Sequence, residues 1–246
     1  MSFDLPSAIR YGLQVLRVEN IPPEHLESAV GSEIDGYGVI ATIYGNDRKS
    51  GAPVSFGQIL HNVDETLVAI PGTRNPQEWI DDARFFLSKC DFIEGDVEQG
   101  FLSIYKSLRI GPEVSAPRLS SFLLGLFTIK IGGHSLGASL ATLLAADLGS
   151  KGLRPTLYTY ASPHVGDVHF AETYKALGIE THRIANRGDL VIELPACVLP
   201  FFPYAHVGEW HELIDVKERS VACRHHLQNY LHILTNGQVP IYPGCE

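Results

Sequence analysis

The chain has 246 residues, of which 45% are hydrophobic and 19% are charged, so it carries the apolar material for a large core and lacks the composition of a disordered protein. This length fits one α/β domain, and we expect a single domain over residues 1–246. The formal net charge of −9 would repel a phosphate backbone, which excludes nucleic acid as an expected partner.

The N-terminal third predicts one helix followed by three strands. Residues 5–18 place apolar side chains at helical spacing. No stretch of the chain is apolar for long enough to span a membrane or to act as an export signal, so the given chain is expected to be cytoplasmic, or secreted if a signal has been removed. β-Branched and aromatic residues dominate 36–44, 54–60 and 66–70, which predicts three strands that pair antiparallel near one edge of a sheet.

Strand-like and helix-like segments alternate after residue 70, a pattern typical of helices that cover a largely parallel sheet. The predicted strands are residues 127–131, 156–160 and 181–186. The predicted helices are residues 97–108, 136–148, 169–177 and 227–234, with Asp167 as a candidate N-cap of the third. The chain is therefore predicted to belong to the α/β class.

A serine nucleophile is predicted within the run Gly133-His134-Ser135-Leu136-Gly137, which matches G-x-S-x-G. The match follows a β-branched run and opens an Ala- and Leu-rich stretch, as a strand-to-helix elbow requires. A side chain at either glycine would collide with the neighbouring strand or helix, and the serine on so sharp a turn would have a strained backbone. The alternative is an ordinary glycine-rich turn that carries an unreactive serine.

Several blocks around this turn occur in the order of a known family, the class 3 lipases, which the sequence resembles over residues 68–234. The blocks are PGTRNPQEWIDD, GFLSIY, GHSLGASLA, ASPHVGD, GDLVIELP, HVGE and HHLQNYLH. The resemblance implies the α/β-hydrolase fold, with a mostly parallel central sheet flanked by helices and antiparallel strands near the N-terminal edge. It also implies ester hydrolysis without a metal or organic cofactor.

The resemblance implies a Ser-His-Asp triad and an oxyanion hole. Asp189 occupies the position of the triad acid, and its alternative role is to cap a turn. His225 falls on the histidine of the family pattern H-x-L-x-x-Y, with His226 adjacent to it. The backbone N–H groups of Thr73 and Leu136 would hold the oxyanion, although Thr73 could also simply end a strand. The chain order Ser, Asp, His is that of α/β hydrolases.

Two further segments are candidates for contact with substrate. The resemblance places a lid at about residues 75–86, although Trp79 and Asp82 could equally be fixed structural residues. The apolar, proline-rich segment 198–205 could wall an acyl groove or pack as an ordinary loop. The lid candidates are Trp79 and Ile80, and the groove candidates are Leu199, Phe201 and Phe202.

The sequence departs from the family pattern at three positions near these blocks. Pro71 stands where the family usually has Arg, Glu98 where it usually has His, and Ile192 where it often has Pro. These changes affect the expected substrate and lid details, while every triad and oxyanion position remains filled. His206, in the HVGE block, is expected to be buried and hydrogen-bonded.

Neither the cysteines nor the histidines predict a structural or metal site. The four cysteines are scattered without a C-x-x-C pair, so free thiols are expected rather than a disulfide. The eleven histidines show no H-E-x-x-H and no compact spacing, so no functional metal is expected.

The sequence therefore predicts a carboxylic-ester hydrolase for lipid esters such as acylglycerols. Its expected partners are a small-molecule ester or lipid substrate and, transiently, a lipid interface. The alternatives are a short-chain, phospholipid or feruloyl esterase that uses the same residues, and a catalytically silent lipase-like protein that binds an acyl ligand.

Overall fold

The computed structural model describes residues 3–47, 50–73, 86–195, 204–215, 217 and 219–246. The strands are β1 (Glu33–Ile34), β2 (Tyr37–Asn46), β3 (Pro53–His61), β4 (Thr66–Ile70), β5 (Leu87–Lys89), β6 (Asp96–Glu98), β7 (Arg109–Ile110), β8 (Ile129–His134), β9 (Thr156–Tyr160), β10 (Gly166–Asp167), β11 (Glu180–Asn186), β12 (Tyr204–Ala205) and β13 (Glu209–Leu213). The α-helices are α1 (Leu5–Asn20), α2 (Gln99–Ser107), α3 (Leu119–Leu123), α4 (Leu136–Ser150), α5 (Val168–Ala176), α6 (Val221–His225) and α7 (Leu227–Leu234). Within these described ranges, no helix is both long and apolar enough to cross a lipid bilayer.

The main sheet has the strand order β1-β2-β3-β4-β8-β9-β11-β13, and β7 pairs with β2. The pairs from β4 through β13 are parallel, whereas β1, β2, β3, β4 and β7 are joined by antiparallel pairs. Every residue of β4 and β9 is buried, as expected for parallel strands covered on both faces. The predicted α/β sheet, with antiparallel strands near its N-terminal edge, is confirmed. A smaller antiparallel sheet has the order β12-β10-β6-β5.

Helices cover both faces of the main sheet and form two hydrophobic clusters. On one face, α1 and α7 pack around the fully buried rings of Tyr11, Tyr160 and Tyr230. On the other face, α2 and α4 pack together with side chains that include Phe101 and Leu140. Because β4, β8 and β11 run parallel, the loops that follow them meet at one edge of the sheet, which is where ligand sites of α/β folds form.

Strand β8 begins two residues later than the sequence predicts. Phe127 is 87% exposed, and Thr128 has a φ of +50°, in the left-handed region that a regular strand does not enter. The strand therefore starts at Ile129, and it continues through Gly132 and Gly133 to His134. The predicted strands at 66–70 and 156–160 and the predicted helix at 227–234 have the bounds observed.

Acidic side chains set the beginnings of two helices. The carboxylate of Glu98 accepts the Phe101 N–H at 2.6 Å, so α2 starts after this cap, and Val97, predicted to be helical, belongs to β6. The carboxylate of Asp167 accepts the Phe170 N–H at 2.7 Å, which confirms the predicted N-cap of α5.

The prediction of free thiols is wrong for two of the cysteines, because Cys223 and Cys245 form a disulfide. Their Cα atoms lie 5.6 Å apart, within the usual range for a disulfide, although 22 positions separate them in the sequence. The C-terminal segment returns over α7, where the ring of Tyr242 stacks on His226 at 3.5 Å. Cysteine spacing alone could not show this return. Cys90 is a buried free thiol, in agreement with the prediction.

Candidate active site

Ser135 lies on the turn between β8 and α4, with a φ of +55° and a ψ of −123°. This conformation is rare outside glycine and is the strained backbone that the sequence predicts. A Cβ atom on Gly133 would lie 2.6 Å from the carbonyl oxygen of Gly137, and one on Gly137 would overlap the carbonyl oxygens of Ile70 and Pro71. The two glycines therefore let α4 begin directly against the ends of β8 and β4.

The fold brings Ser135, His225 and Asp189 together, although they lie in three distant parts of the chain. Nε2 of His225 is 2.8 Å from Oγ of Ser135. Nδ1 of His225 is 2.9 Å and 3.1 Å from the two carboxylate oxygens of Asp189. Since a carboxylate only accepts hydrogen bonds, Nδ1 carries the hydrogen and Nε2 is left to accept the serine proton. The three residues are 1%, 5% and 1% exposed, respectively, so the contacts lie away from bulk water.

The Asp189 carboxylate is oriented by two further donors. It accepts the Val191 N–H at 3.0 Å within the 3-10 turn Leu190–Glu193, and the Tyr230 hydroxyl at 2.7 Å. The Tyr230 oxygen also accepts the Asn186 N–H at 3.1 Å. Burial, together with the charge of Asp189, raises the pKa of Tyr230 well above its ordinary value, so the phenol remains a donor. The sequence indicates Tyr230 only as part of the H-x-L-x-x-Y pattern.

His134, the elbow residue before the serine, links three parts of the site. Its Nδ1 is 2.9 Å from the carboxylate of Glu19 on α1, and its Nε2 is 3.0 Å from the backbone carbonyl oxygen of His225. Glu19 also accepts the Gly72 N–H at 3.4 Å. Carbonyl and carboxylate oxygens only accept, so both ring nitrogens carry hydrogen and His134 is an imidazolium paired with Glu19. Glu19 could not be predicted as part of the site, because it lies in an N-terminal helix outside every matched block.

The pKa values of this pair agree with the hydrogen-bond geometry. Burial by itself lowers the pKa of His134, but the charge and hydrogen bond of Glu19 and the His225 carbonyl bring it above its ordinary value of 6.5. Burial by itself raises the pKa of Glu19, but His134 brings it below its ordinary value of 4.5. Glu19 and His134 are therefore both charged between pH 4.5 and pH 6.5, the ordinary pKa values of the two side chains.

The two predicted oxyanion donors lie on segments beside Ser135, the predicted nucleophile. Leu136 is the first residue of α4 and is buried, and Thr73 follows β4 and is half-buried. A Cβ atom on Gly72 would lie 3.1 Å from the Ser135 Cβ and 2.8 Å from Nδ1 of His134. The chain before Thr73 thus passes in contact with the elbow, and a side chain at Gly72 would press on the His134 ring.

The candidate lid and groove residues, Trp79, Ile80, Leu199, Phe201 and Phe202, lie outside the described residues. Their roles stay predictions.

His206 makes the hydrogen bond that the sequence predicts, although its ring is partly rather than fully buried. Its Nε2 donates to the Ile192 carbonyl oxygen at 2.9 Å, and the ring stacks on His164 at 3.6 Å. Burial, followed by repulsion from His164, lowers the pKa of His206 to about 2, so the ring is neutral.

The sequence model of a family described as Lipase (class 3) matches residues 67–199. A secreted mono- and diacylglycerol lipase 1 of Fusarium solani is 32% identical over 192 residues, which cover 77% of this chain and 53% of that protein. The chloroplastic phospholipase A1-Ialpha2 of Arabidopsis thaliana is 29% identical over 212 residues, which cover 69% of this chain and 44% of that protein. The chain thus spans about half the length of these curated relatives.

Solved structures show the same fold. The native lipase propeptide complex of Rhizomucor miehei superposes with a TM-score of 0.67 at 22% identity, over 87% of this chain and 70% of that one. At this identity the likeness concerns the fold alone, and it agrees with the expected α/β-hydrolase architecture.

Proposed function

The chain belongs to the class 3 lipase family, and on this basis we propose that it is a serine carboxylic-ester hydrolase that acts on lipid esters. The observation that carries the proposal is the hydrogen-bonded series from Ser135 Oγ to His225 Nε2 and from His225 Nδ1 to Asp189. Such a series activates a serine hydroxyl as a nucleophile. The strained elbow and the buried setting are consistent with this role.

In the proposed reaction, Oγ of Ser135 attacks the ester carbonyl carbon while Nε2 of His225 takes the hydroxyl proton. Asp189 stabilises the resulting imidazolium and holds it in place. The N–H groups of Leu136 and Thr73 stabilise the negative charge on the carbonyl oxygen. The tetrahedral intermediate then collapses, the leaving alcohol takes the proton from His225, and an acyl-enzyme remains. Water then attacks the acyl-enzyme while His225 takes one of its protons. When the second tetrahedral intermediate collapses, His225 returns this proton to Oγ of Ser135 and the carboxylic acid leaves.

The proposed substrate class is supported by what the names of the relatives share. Their names specify a mono- and diacylglycerol lipase, a phospholipase A1 and a galactolipase. Acylglycerols, phospholipids and galactolipids all contain fatty-acyl esters of glycerol. We infer that this chain hydrolyses fatty-acyl glycerol esters, with neutral acylglycerols as the first expectation.

Hydrolysis of p-nitrophenyl butyrate by the purified chain tests the proposed chemistry. Ser135→Ala should remove nearly all turnover, with a loss of about 10⁴-fold or more in kcat. Ser139→Ala is the matched control, because this serine lies on the same helix and its buried hydroxyl makes no hydrogen bond with the described residues. If the wild type binds an acyl ligand but does not hydrolyse the ester, this would contradict the proposal and favour the alternative of a catalytically inactive acyl-binding protein.

A panel of substrates then tests the lipid specificity separately. Rates on C2 to C18 p-nitrophenyl esters, diacylglycerol, phosphatidylcholine and a feruloyl ester should be highest for long-chain glycerol esters. Activity confined to short acyl chains or to feruloyl esters would retain the mechanism and overturn the substrate class.

A further inference from the structure

A second cluster of chemically reactive side chains lies at the outer edge of the main sheet, away from the proposed triad. It consists of His182 on β11 and of Glu209 and His211 on β13, the terminal strand of the sheet order. One nitrogen or oxygen atom from each of these residues lies within 4.8 Å of the others. The sequence does not indicate this cluster, because His182 is far from Glu209 and His211 along the chain. The three residues come together only through the parallel pairing of β11 with β13.

The strand register places all three side chains on one face. His182 is the direct partner of Glu209, and His211 follows Glu209 by two residues, so it points to the same side. Arg183 pairs with Trp210 and lies over its ring, on the opposite face. The cluster therefore contains two imidazoles and a carboxylate, while the neighbouring arginine is directed away.

A carboxylate fixes the orientation of the His182 ring through Nε2, the ring nitrogen that does not face His211. Nε2 of His182 is 3.2 Å from the Glu180 carboxylate, which only accepts, so Nε2 carries the hydrogen. The lone pair of Nδ1 then points towards His211. A carboxylate that holds the N–H of a ligating histidine is the arrangement found around zinc ions in proteins.

The distance between the two imidazoles suits a shared cation. Nδ1 of His182 is 3.1 Å from Nε2 of His211. Two nitrogens bound to one tetrahedral zinc ion at about 2.0–2.1 Å lie roughly 3.3 Å apart. The ring of Phe3 stacks on His211 at 4.0 Å, and that of Tyr158 packs on His182 at 4.7 Å, so the imidazoles are held by their neighbours.

Charge and access also favour a cation. Glu180 and Glu209 provide two carboxylates beside the imidazoles, and at neutral pH they attract positive charge. His182 is buried, His211 is half-buried and Glu209 is exposed, so the cluster opens to solvent on the Glu209 side. Two histidines and one carboxylate form a ligand set that zinc uses in proteins, with a further position left for water.

We propose that His182, His211 and Glu209 bind a zinc ion that joins β13 to β11. The bound ion would secure an exposed edge strand against loss from the sheet. The site lies near the start of β11, whereas Asp189 follows its end, and the strand from His182 to Asn186 is about 13 Å long. The zinc ion would therefore stabilise the sheet that carries the triad acid, without contact with the reacting atoms.

Equilibrium dialysis of the chelator-treated chain against zinc chloride tests the proposal. The wild type should retain one zinc ion per chain, and the zinc should raise its thermal unfolding midpoint by several degrees. Glu209→Gln should weaken binding by tenfold or more, and His211→Ala should abolish retention at this site. His169→Ala is the matched control, because this exposed histidine faces Glu94 on another surface and its loss should change nothing.

The variants separate the possible outcomes. Glu209 is exposed, so Glu209→Gln should fold even if His211→Ala is destabilised by the loss of stacking against Phe3. Ester hydrolysis without added zinc should be unchanged in Glu209→Gln, which keeps this test independent of the proposed function. No zinc retention by the wild type, or equal retention by the wild type and both variants, would overturn the proposal and leave a simple hydrogen bond between two histidines.

Discussion

His225 is held through both its side chain and its backbone. Its two ring nitrogens face Ser135 and Asp189, and its carbonyl oxygen accepts a hydrogen bond from His134. The elbow therefore positions Ser135, the proposed nucleophile, and His134 positions the segment that carries His225, the proposed base. The family pattern predicted Ser135, Asp189 and His225, whereas it could not predict the acidic partner of His134, because Glu19 reaches the site only after α1 packs on the sheet.

The adjacent histidines give the first prediction. His225→Ala should lower kcat for ester hydrolysis by roughly 10⁴-fold or more, because it removes the group that accepts the serine proton. His226→Ala should cost less than about tenfold, since the His226 ring stacks on Tyr242 instead. Steady-state kinetics of the two purified variants would decide. The reverse ranking would contradict the assignment of the base.

The buried pair of Glu19 and His134 gives a prediction about pH. The lowered pKa of Glu19 stabilises the fold above about pH 4.5, and this contribution is lost as acid protonates the carboxylate. The raised pKa of His134 stabilises the fold below about pH 6.5, and this contribution is lost as the pH rises through the folded value. Glu19→Gln should therefore cost most stability, on the order of 2 kcal/mol, between these pH values.

Urea unfolding of Glu19→Gln and the wild type at several pH values would measure the difference between their free energies of unfolding. This difference should become smaller as the pH rises above neutrality, because the wild type then loses the charged form of His134. Glu24→Gln is the matched control, since it makes the same change at an exposed position. A difference that stayed constant from pH 5 to pH 9 would show that the two residues are not ion-paired.

Among the helices and strands, the sequence predicts the ones that have a continuous apolar pattern or a local capping signal. Strands β4 and β9 are buried throughout, so their β-branched and aromatic runs were unambiguous. The glycines of the elbow were predicted correctly because close approach of α4 excludes a side chain there. Strand β13, with the sequence EWHEL, was missed because its largely exposed, charged residues resemble a loop. Only pairing with β11 makes it a strand.

The disulfide between α6 and the C-terminal segment gives a prediction at this scale. It closes a loop over a sequence separation of 22 residues, and reduction should lower the free energy of unfolding by about 3 kcal/mol. Activity should also fall, because Cys223 lies two residues before His225 in α6. Urea unfolding and ester hydrolysis, each measured with and without reductant, would test both points, and peptide mapping without reductant would locate the bond. An unfolding midpoint unaffected by reductant would contradict the structural role of this bond.

For the whole molecule, the net charge of −9 bears on the surfaces at which the protein can act. An acidic protein is repelled by an anionic interface, and salt shortens the range of this repulsion from about 30 Å at 0.01 M to about 8 Å at 0.15 M. Raising the salt concentration over this interval should increase hydrolysis of anionic lipid dispersions severalfold and leave hydrolysis of neutral acylglycerol dispersions nearly unchanged. p-Nitrophenyl butyrate in solution serves as the control. A rate on anionic dispersions that is highest at low salt would instead indicate a local basic docking surface.

The proposed function depends on the convergence of distant parts of the chain, which makes one serine hydroxyl nucleophilic. Its most direct test is to treat the protein with diethyl p-nitrophenyl phosphate and to locate the phosphoryl group by peptide mass spectrometry. We expect one equivalent on Ser135 in the wild type and almost none in His225→Ala. An adduct on another serine, or inhibition that leaves Ser135 unmodified, would contradict it.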